Sequence, residues 1–249
     1  MTPDVVVDVG NTRIKWGRCQ NHAVVATASL EPDDPAAWGL QRDLWRLDDG
    51  ALFVVTGVHP ERRGRLAEWL RQHGAAVRVV KEAAELPLVV RVERPDHVGV
   101  DRLFDAVAAN HRRSPGRGAV VVDAGSAVTV DWVDEEGAFS GGAIFPGIRL
   151  MALALHQYTA LLPLIESPRD LPALPGTSTR AAMAAGIVWA TGGGMKALIE
   201  QYSRLAAVPP HVFLTGGDGP LLHRILDAGV EHRPDLTLEG IRLTAESLP

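Results

Sequence analysis

The sequence predicts an α/β protein made of two copies of one strand-and-turn unit. Three observations predict it. Short valine-rich runs alternate with helical stripes along the first half. The opening Val5-Val-Val-Asp8-Val-Gly-Asn-Thr12 is echoed by Ala119-Val-Val-Val-Asp123-Ala-Gly-Ser-Ala127, a valine run, Asp-x-Gly and a small polar residue in each. Between the copies lies Arg112 to Gly118, charged, turn-rich and without apolar residues, the best interior linker. Two such units suggest a duplicated domain with its boundary near 117.

In chain order, Val5–Val7 reads as a strand entering the Asp8–Thr12 turn, and Ile14-Lys-Trp16 as the return strand of a hairpin. Leu52–Val55 and Val77–Val80 are short β-branched runs of the kind buried strands show. Between them Arg63–His73 places Leu66, Trp69 and Leu70 at helical spacing. Leu103, Phe104, Ala106 and Val107 make a further helix just after Gly99-Val-Asp101-Arg102. In the second half Val128–Val133 is the return strand, and Val212-Phe-Leu-Thr215-Gly-Gly217 is a strand running into a glycine turn. Helical stretches are expected near 149–162, 179–205 and 219–228. The long one contains Gly186 and Gly192-Gly-Gly194, each costing roughly 1 kcal/mol against alanine, so it is expected to be broken or closely packed there.

The 249 residues, 46% hydrophobic and 22% charged, exclude a disordered chain and can bury a core without staples. A net charge of −5 and 5% aromatics argue against a nucleic-acid partner. One cysteine, Cys19, excludes an internal disulfide and an all-cysteine zinc site. No basic segment precedes an apolar run at the amino terminus, and Leu150–Ile165, taken as the longest weakly polar stretch, is too short to span a bilayer. The expectation is a cytoplasmic protein with no membrane partner.

Chemistry concentrates in the turns. A phosphate needs backbone N–H donors, hydroxyls and a cation, and Gly10, Thr12 and Lys15 supply them, while Asp8 suits a magnesium ion held through water. A plain hairpin turn with Asn11 at its tip is the alternative. The second loop repeats the offer with Ser126 and Thr129, and Leu214-Thr-Gly-Gly-Asp218 adds a third glycine turn. Asp101 is either the N-cap of its helix or a carboxylate that takes a proton from a substrate hydroxyl, with Arg102 beside it for an acid group. The pairs Arg62-Arg63 and Arg112-Arg113 read as solvated faces, and Trp189 as core or subunit interface.

Taken together these motifs resemble the type III pantothenate kinases of the actin-like, sugar-kinase-like ATPase superfamily. Asp8–Lys15 matches the family's Asp-x-Gly-Asn-Thr-x-x-Lys, and Pro95-Asp-His-Val-Gly-Val-Asp-Arg102 its Pro-x-x-Val-Gly-x-Asp-Arg. Asp123–Thr129 is similar to Asp-x-Gly-Thr-Ala-x-Thr with Ser126 for the first threonine. Gly141–Gly147, Thr179–Gly186 and Leu214–Asp218 follow in order. Many relatives carry an aromatic residue three before the motif's proline, where this chain has Val92.

The resemblance implies two duplicated ribonuclease-H-like domains, 1–116 and 117–249, with a nucleotide cleft between them. It implies phosphorylation of pantothenate to 4′-phosphopantothenate at the entry to coenzyme A synthesis, using ATP, Mg2+ and a monovalent cation, potassium or ammonium. Asp8, Val9, Gly10, Asn11, Thr12, Arg13, Ile14 and Lys15 would bind ATP, with Ser126. Asp101 would be the proton acceptor, Gly99, Val100, Asp101, Arg102 and Thr179 would bind pantothenate, and Asp123 would hold the monovalent cation. A homodimer is expected, its contact on the small-residue stretch Thr179–Leu205. Two rival readings are a non-catalytic nucleotide-binding regulator of the Bvg accessory factor kind, and a kinase for another small hydroxylated substrate, motivated by Val92.

Overall fold

Four of the five residues of β1 (Val5–Val9) are valines with no exposed surface, as expected of a central strand covered on both faces. The computed structural model describes residues 1–226 and 228–249. From β1 the chain turns back as β2 (Ile14–Gln20) and again as β3 (Ala23–Leu30), both antiparallel. It then crosses through α1 (Pro35–Trp45) to β4 (Leu52–Thr56), parallel to β1, and through α2 (Pro60–Gln72) to β5 (Ala76–Val79), parallel to β4. Asp34 caps α1 by accepting from the Ala37 N–H at 3.1 Å, and proline opens both helices, where its missing N–H costs nothing. The α2 stripe is as the spacing requires, with Leu66 and Leu70 fully buried and Trp69 half-buried. Trp16 stacks edge-on against Phe53 at 5.3 Å in the core beneath. The unit continues into α3 (Val100–Arg112).

The next segment repeats this path. Strands β6 (Ala119–Ala124), β7 (Ala127–Val133) and β8 (Phe139–Pro146) run antiparallel in turn. They are followed by α4 (Ile148–Gln157) and α5 (Thr179–Ser203), then β9 (His211–Thr215), parallel to β6. A short α6 (Gly219–Leu222) leads to β10 (Val230–His232), parallel to β9. The two sheets have the same order, β3–β2–β1–β4–β5 and β8–β7–β6–β9–β10, so the echo in sequence is an echo in topology. The expected helix at 219–228 is shorter than its pattern suggested, and its residue 227 lies outside the described residues.

The last helix, α7 (Leu236–Ser247), does not stay with the second sheet. The chain forms two compact units, Met1–Arg112 with Asp235–Pro249, and Arg113–Pro234. A single boundary at 116/117 therefore misplaces the carboxyl-terminal segment. The reason is packing: Leu236, Leu238, Ile241 and Ala245 of α7 are buried, and α7 lies against α3 and β1. A Cβ on Gly240 would sit 1.9 Å from the Phe104 carbonyl oxygen, so only glycine permits that approach. Arg242, itself buried, donates to Glu239 Oε2 at 3.0 and 2.8 Å and to Glu246 at 2.8 Å. The Glu239 carboxylate also accepts from the Val24 N–H at 3.1 Å, tying the helix to β3. Beside this network burial pushes the Cys19 thiol up to about 12, so it stays protonated.

Helix α5 is long and apolar enough to cross a membrane by length and composition, which the sequence reading, fixed on 150–165, overlooked. It carries Ile187, Val188 and Met195 into the core of the second unit. Its glycines are of two kinds. Gly192 packs flush on Ile225, 2.8 Å from where its Cβ would be, whereas Gly186 and Gly193 look into open space. Neither breaks the helix.

Candidate active site

In the first unit the Asp8 turn is closed by the Gly10 N–H, which donates to the Arg13 carbonyl at 3.0 Å and leaves Asn11, Thr12 and Arg13 exposed. It is braced from outside. Arg62 of α2 donates to the Asn11 carbonyl at 2.5 Å and pairs with Asp33 at 3.1 Å, and Arg13 pairs with Glu31. Arg63 donates to the Gly57 carbonyl at 2.7 Å. Partial burial lowers the Arg63 pKa from its ordinary value. The reading of Arg62-Arg63 as a solvated face is thus corrected: α2 turns both guanidiniums inward onto loop carbonyls. Arg113 is engaged as well, donating to the carbonyls of Arg117 and Glu135 at 2.7 and 3.0 Å.

Gly57 follows β4 with φ of +133°, and a Cβ there would fall 2.3 Å from the Val9 carbonyl oxygen. Only glycine lets the two strand ends meet. The next residue, Val58, borders Gly99, whose own Cβ position lies 2.6 Å from Asp101 Oδ1. The Gly99–Arg102 motif is thereby set beside the ends of β1 and β4. Asp101 lies in the first turn of α3, and its Oδ1 accepts from the Arg102 N–H at 2.8 Å. Burial raises its pKa, opposed by that hydrogen bond and by the charges of Arg102 and Lys15. It is both a helix-start carboxylate and a half-buried one within the field of two cations. Along the same motif runs a cavity of about 460 Å³ lined by Lys81, Glu82, Pro95, Val98, Val100 and Leu103. Val92 is half-buried.

In the second unit the Asp123 turn is gathered with two other glycine segments. The Gly147 N–H donates to the Ser126 carbonyl at 3.1 Å, and the Asp218 N–H to the Ala124 carbonyl at 2.9 Å. Gly216, at φ +94°, would place a Cβ 2.4 Å from Asp123 Oδ1. Gly216 thus repeats the role of Gly57, and burial raises the Asp218 carboxyl pKa. Thr179 is carried by another element, exposed in the first turn of α5 behind the N-cap Ser178.

Sequence reasoning missed Arg62 and Arg63 as loop braces, and it missed Thr56. Thr56 and Thr215 are fully buried, and neither side-chain hydroxyl has a hydrogen-bond partner among the described residues. A signal was present: Val-Val-Thr56-Gly57 echoes Phe-Leu-Thr215-Gly216 as plainly as Asp8 echoes Asp123.

A profile of type III pantothenate kinases matches residues 5–201, through both turns and the Asp101 motif. The chain belongs to the type III pantothenate kinase family. It is 35% identical over 247 residues to the type III pantothenate kinase of Alkalilimnicola ehrlichii, covering 98% of each chain. It is 41% identical to that of Acidiphilium cryptum, covering 97% of this chain and 93% of the relative. Among solved structures, ethanolamine utilization protein EutJ from Carboxydothermus hydrogenoformans shares the fold. There the TM-score is 0.55 at 16% identity, over 97% of this chain and 89% of the other. Type III pantothenate kinase relatives thus match nearly end to end, across both mixed sheets and their flanking helices.

Proposed function

We infer that the chain transfers the γ-phosphoryl group of ATP to the primary hydroxyl of pantothenate, giving 4′-phosphopantothenate in the first step of coenzyme A biosynthesis. Family membership over nearly the whole chain supports the reaction. The observation that carries the mechanism is the half-buried Asp101 beside the Asp8 turn, with its carboxylate in the field of Arg102 and Lys15. The substrate hydroxyl gives its proton to the Asp101 carboxylate, its oxygen forms a bond to the γ-phosphorus, and the β–γ bridging P–O bond breaks with its electron pair leaving on ADP. Arg102 binds the substrate carboxylate, and Gly99, Val100 and Thr179 complete the acceptor site. Gly10, Thr12 and Lys15 hold phosphate oxygens, with Asp8 through Ile14 forming the loop, and Ser126 contributes a hydroxyl to the nucleotide.

Asp8, half-buried between Lys15 and the unpartnered Thr56 hydroxyl, has the oxygen chemistry to hold Mg2+ through its water shell. When bound, that ion neutralises charge on the phosphates. Asp123 is the ligand for the monovalent cation. The repeated sheet order supports reading the two units as duplicated ribonuclease-H-like domains of an actin-like ATPase. A homodimer through α5 is supported by its exposed face, where Trp189 keeps 37% of its surface accessible beside Gly186 and Gly193. Glycines that cost helix stability and whose Cβ positions meet nothing among the described residues suit a closely approaching second copy.

The test is ADP release measured with pantothenate, simple sugars and glycerol as acceptors. Release that depends on pantothenate is the expected result. Release only with another acceptor favours the kinase of altered specificity that Val92 motivates, and release with none favours the nucleotide-binding regulator.

A further inference from the structure

The last residue of β4 carries a hydroxyl that the resting fold does not use. Phe53-Val-Val-Thr56 is a buried run, and Thr56 has no exposed surface. Its Oγ1 is buried with no hydrogen-bond partner among the described residues. Valine has the same shape, would continue the run, and would strand no polar atom. A buried polar group without a partner lowers stability, so such groups are rare and call for an explanation. The arrangement recurs at Thr215, the last residue of β9, equally buried and with its hydroxyl equally unmatched among the described residues.

Alternation along the strands shows where the Thr56 hydroxyl stands. Val7, Trp16 and Val55 pack in one core with Trp38 of α1 and Leu66 of α2. The intervening residues lie on the opposite face, under α7, where a Cβ on Gly17 would sit 3.0 Å from Val6 Cγ2 and 3.3 Å from Leu238 Cβ. Asp8, Lys15 and Thr56 belong to that α7 face, one row nearer the strand ends. The register sets Asp8 opposite Lys15 on β2 and opposite Thr56 on β4, so it stands between an ammonium and a hydroxyl. Helix α3 packs on α7 and opens with Asp101, whose carboxylate feels the Lys15 charge. The strand ends themselves are held together, because Gly57 lies where a Cβ would fall 2.3 Å from the Val9 carbonyl oxygen.

Burial decides what the hydroxyl can do. Thr56 Oγ1 is closed to solvent, whereas Asp8 is half-buried and open to it. A hydrated ion or phosphate arriving at the turn therefore meets Asp8 and not Thr56. The hydroxyl acts through the carboxylate. It has one hydrogen to donate, the carboxylate has two oxygens, and cross-strand neighbours on one face are close enough to bond. A carboxylate held through one oxygen presents the other in a fixed direction.

We propose that Thr56 is a positioning residue for Asp8: when nucleotide and Mg2+ bind, its hydroxyl donates to one carboxylate oxygen and leaves the other to the water shell of the ion. The hydroxyl stranded in the resting fold is thereby satisfied in the loaded one. This rests on the reading of Asp8 as the residue that holds Mg2+, and not on the identity of the phosphoryl acceptor.

The experiment uses the full chain without any acceptor. The half-saturating ADP concentration is read from the rise of the thermal unfolding midpoint, once in excess MgCl2 and once in EDTA. For the wild type the value in MgCl2 is expected to be the lower. Thr56→Val, which keeps the shape and removes the oxygen, should leave the EDTA value unchanged. It should raise the MgCl2 value about 10- to 100-fold, the scale of losing a group that orients a metal ligand. Its midpoint without ligand should equal or exceed that of the wild type, because the stranded hydroxyl is gone. Thr56→Ser, which keeps the oxygen, should retain the wild-type benefit from MgCl2 even where the lost methyl lowers its midpoint. A valine variant with the wild-type benefit, or a serine variant that loses it, overturns the proposal. So does a valine variant that unfolds earlier than the wild type or does not fold, since the oxygen then serves the resting structure. A wild type whose ADP response ignores MgCl2 ends the reading of Asp8 along with this one. A chain that passes every arm yet phosphorylates no pantothenate loses its proposed acceptor and keeps the role of Thr56.

Discussion

Replacing Asp101 by asparagine should weaken the enzyme and strengthen the fold at once. The side chain keeps its shape, and its Oδ1 still accepts the Arg102 N–H that now lies 2.8 Å away. What disappears is the proton-accepting carboxylate, and loss of a general base lowers kcat by about 10²–10⁴-fold. The stability effect has the opposite sign. Burial raises the Asp101 pKa above its ordinary 3.8, so the folded state resists the charge that the unfolded state carries freely. Below 3.8 both states hold the proton and no penalty exists. As the pH climbs through the folded-state pKa the penalty grows to its full size, about 1.4 kcal/mol for each tenfold gain in the carboxylate's proton affinity on folding. Asparagine carries no such penalty. The variant should therefore be more stable than the wild type at pH 8, with the gap narrowing as the medium is acidified. Urea midpoints at several pH values, set beside steady-state kinetics, read both effects. A variant with wild-type kcat, or one less stable than the wild type at pH 8, refutes the reasoning.

Three further outcomes are expected. Gly57→Ala, forced to φ +133° and against the Val9 carbonyl, should cost about 2–4 kcal/mol in urea unfolding, while Gly64→Ala in the open on α2 should gain a few tenths to about 1 kcal/mol; equal midpoints would contradict the contact. Arg62→Ala frees the Asn11 carbonyl and should raise KM for ATP about 5- to 20-fold while leaving kcat nearly intact, and an unchanged KM removes Arg62 as a brace. Light scattering should give the mass of two chains for the wild type and of one for Trp189→Glu, whereas a monomeric wild type with full activity ends the dimer reading.

Much of this architecture was legible because local rules and tertiary demands agree. The valine runs at 5–7 and 120–122 are central strands buried on both faces, and nothing competes with that reading. The Asp8, Asp101 and Asp123 motifs were legible because close backbone approach requires glycine at fixed offsets. Helix α7 was not, because Gly240 breaks its pattern; yet that same glycine is what lets it cross α3. The inward turn of Arg62 and Arg63 was hidden for another reason. A guanidinium on an exposed-looking helix face reads as solvated until the loop that accepts its hydrogen bonds is placed beside it. The buried hydroxyls of Thr56 and Thr215 needed the register, which composition and spacing do not supply.

The return of α7 to the first sheet also sets a schedule. On the ribosome the unit that begins first cannot be completed first, because the helix covering β1 and α3 emerges after the entire second unit. The second unit, continuous from Arg113 to Pro234, has all its parts available while the first still exposes the apolar faces of α3 and β1. Until α7 emerges, those faces are the sticky surface of the nascent chain, and they are where a chaperone would be needed.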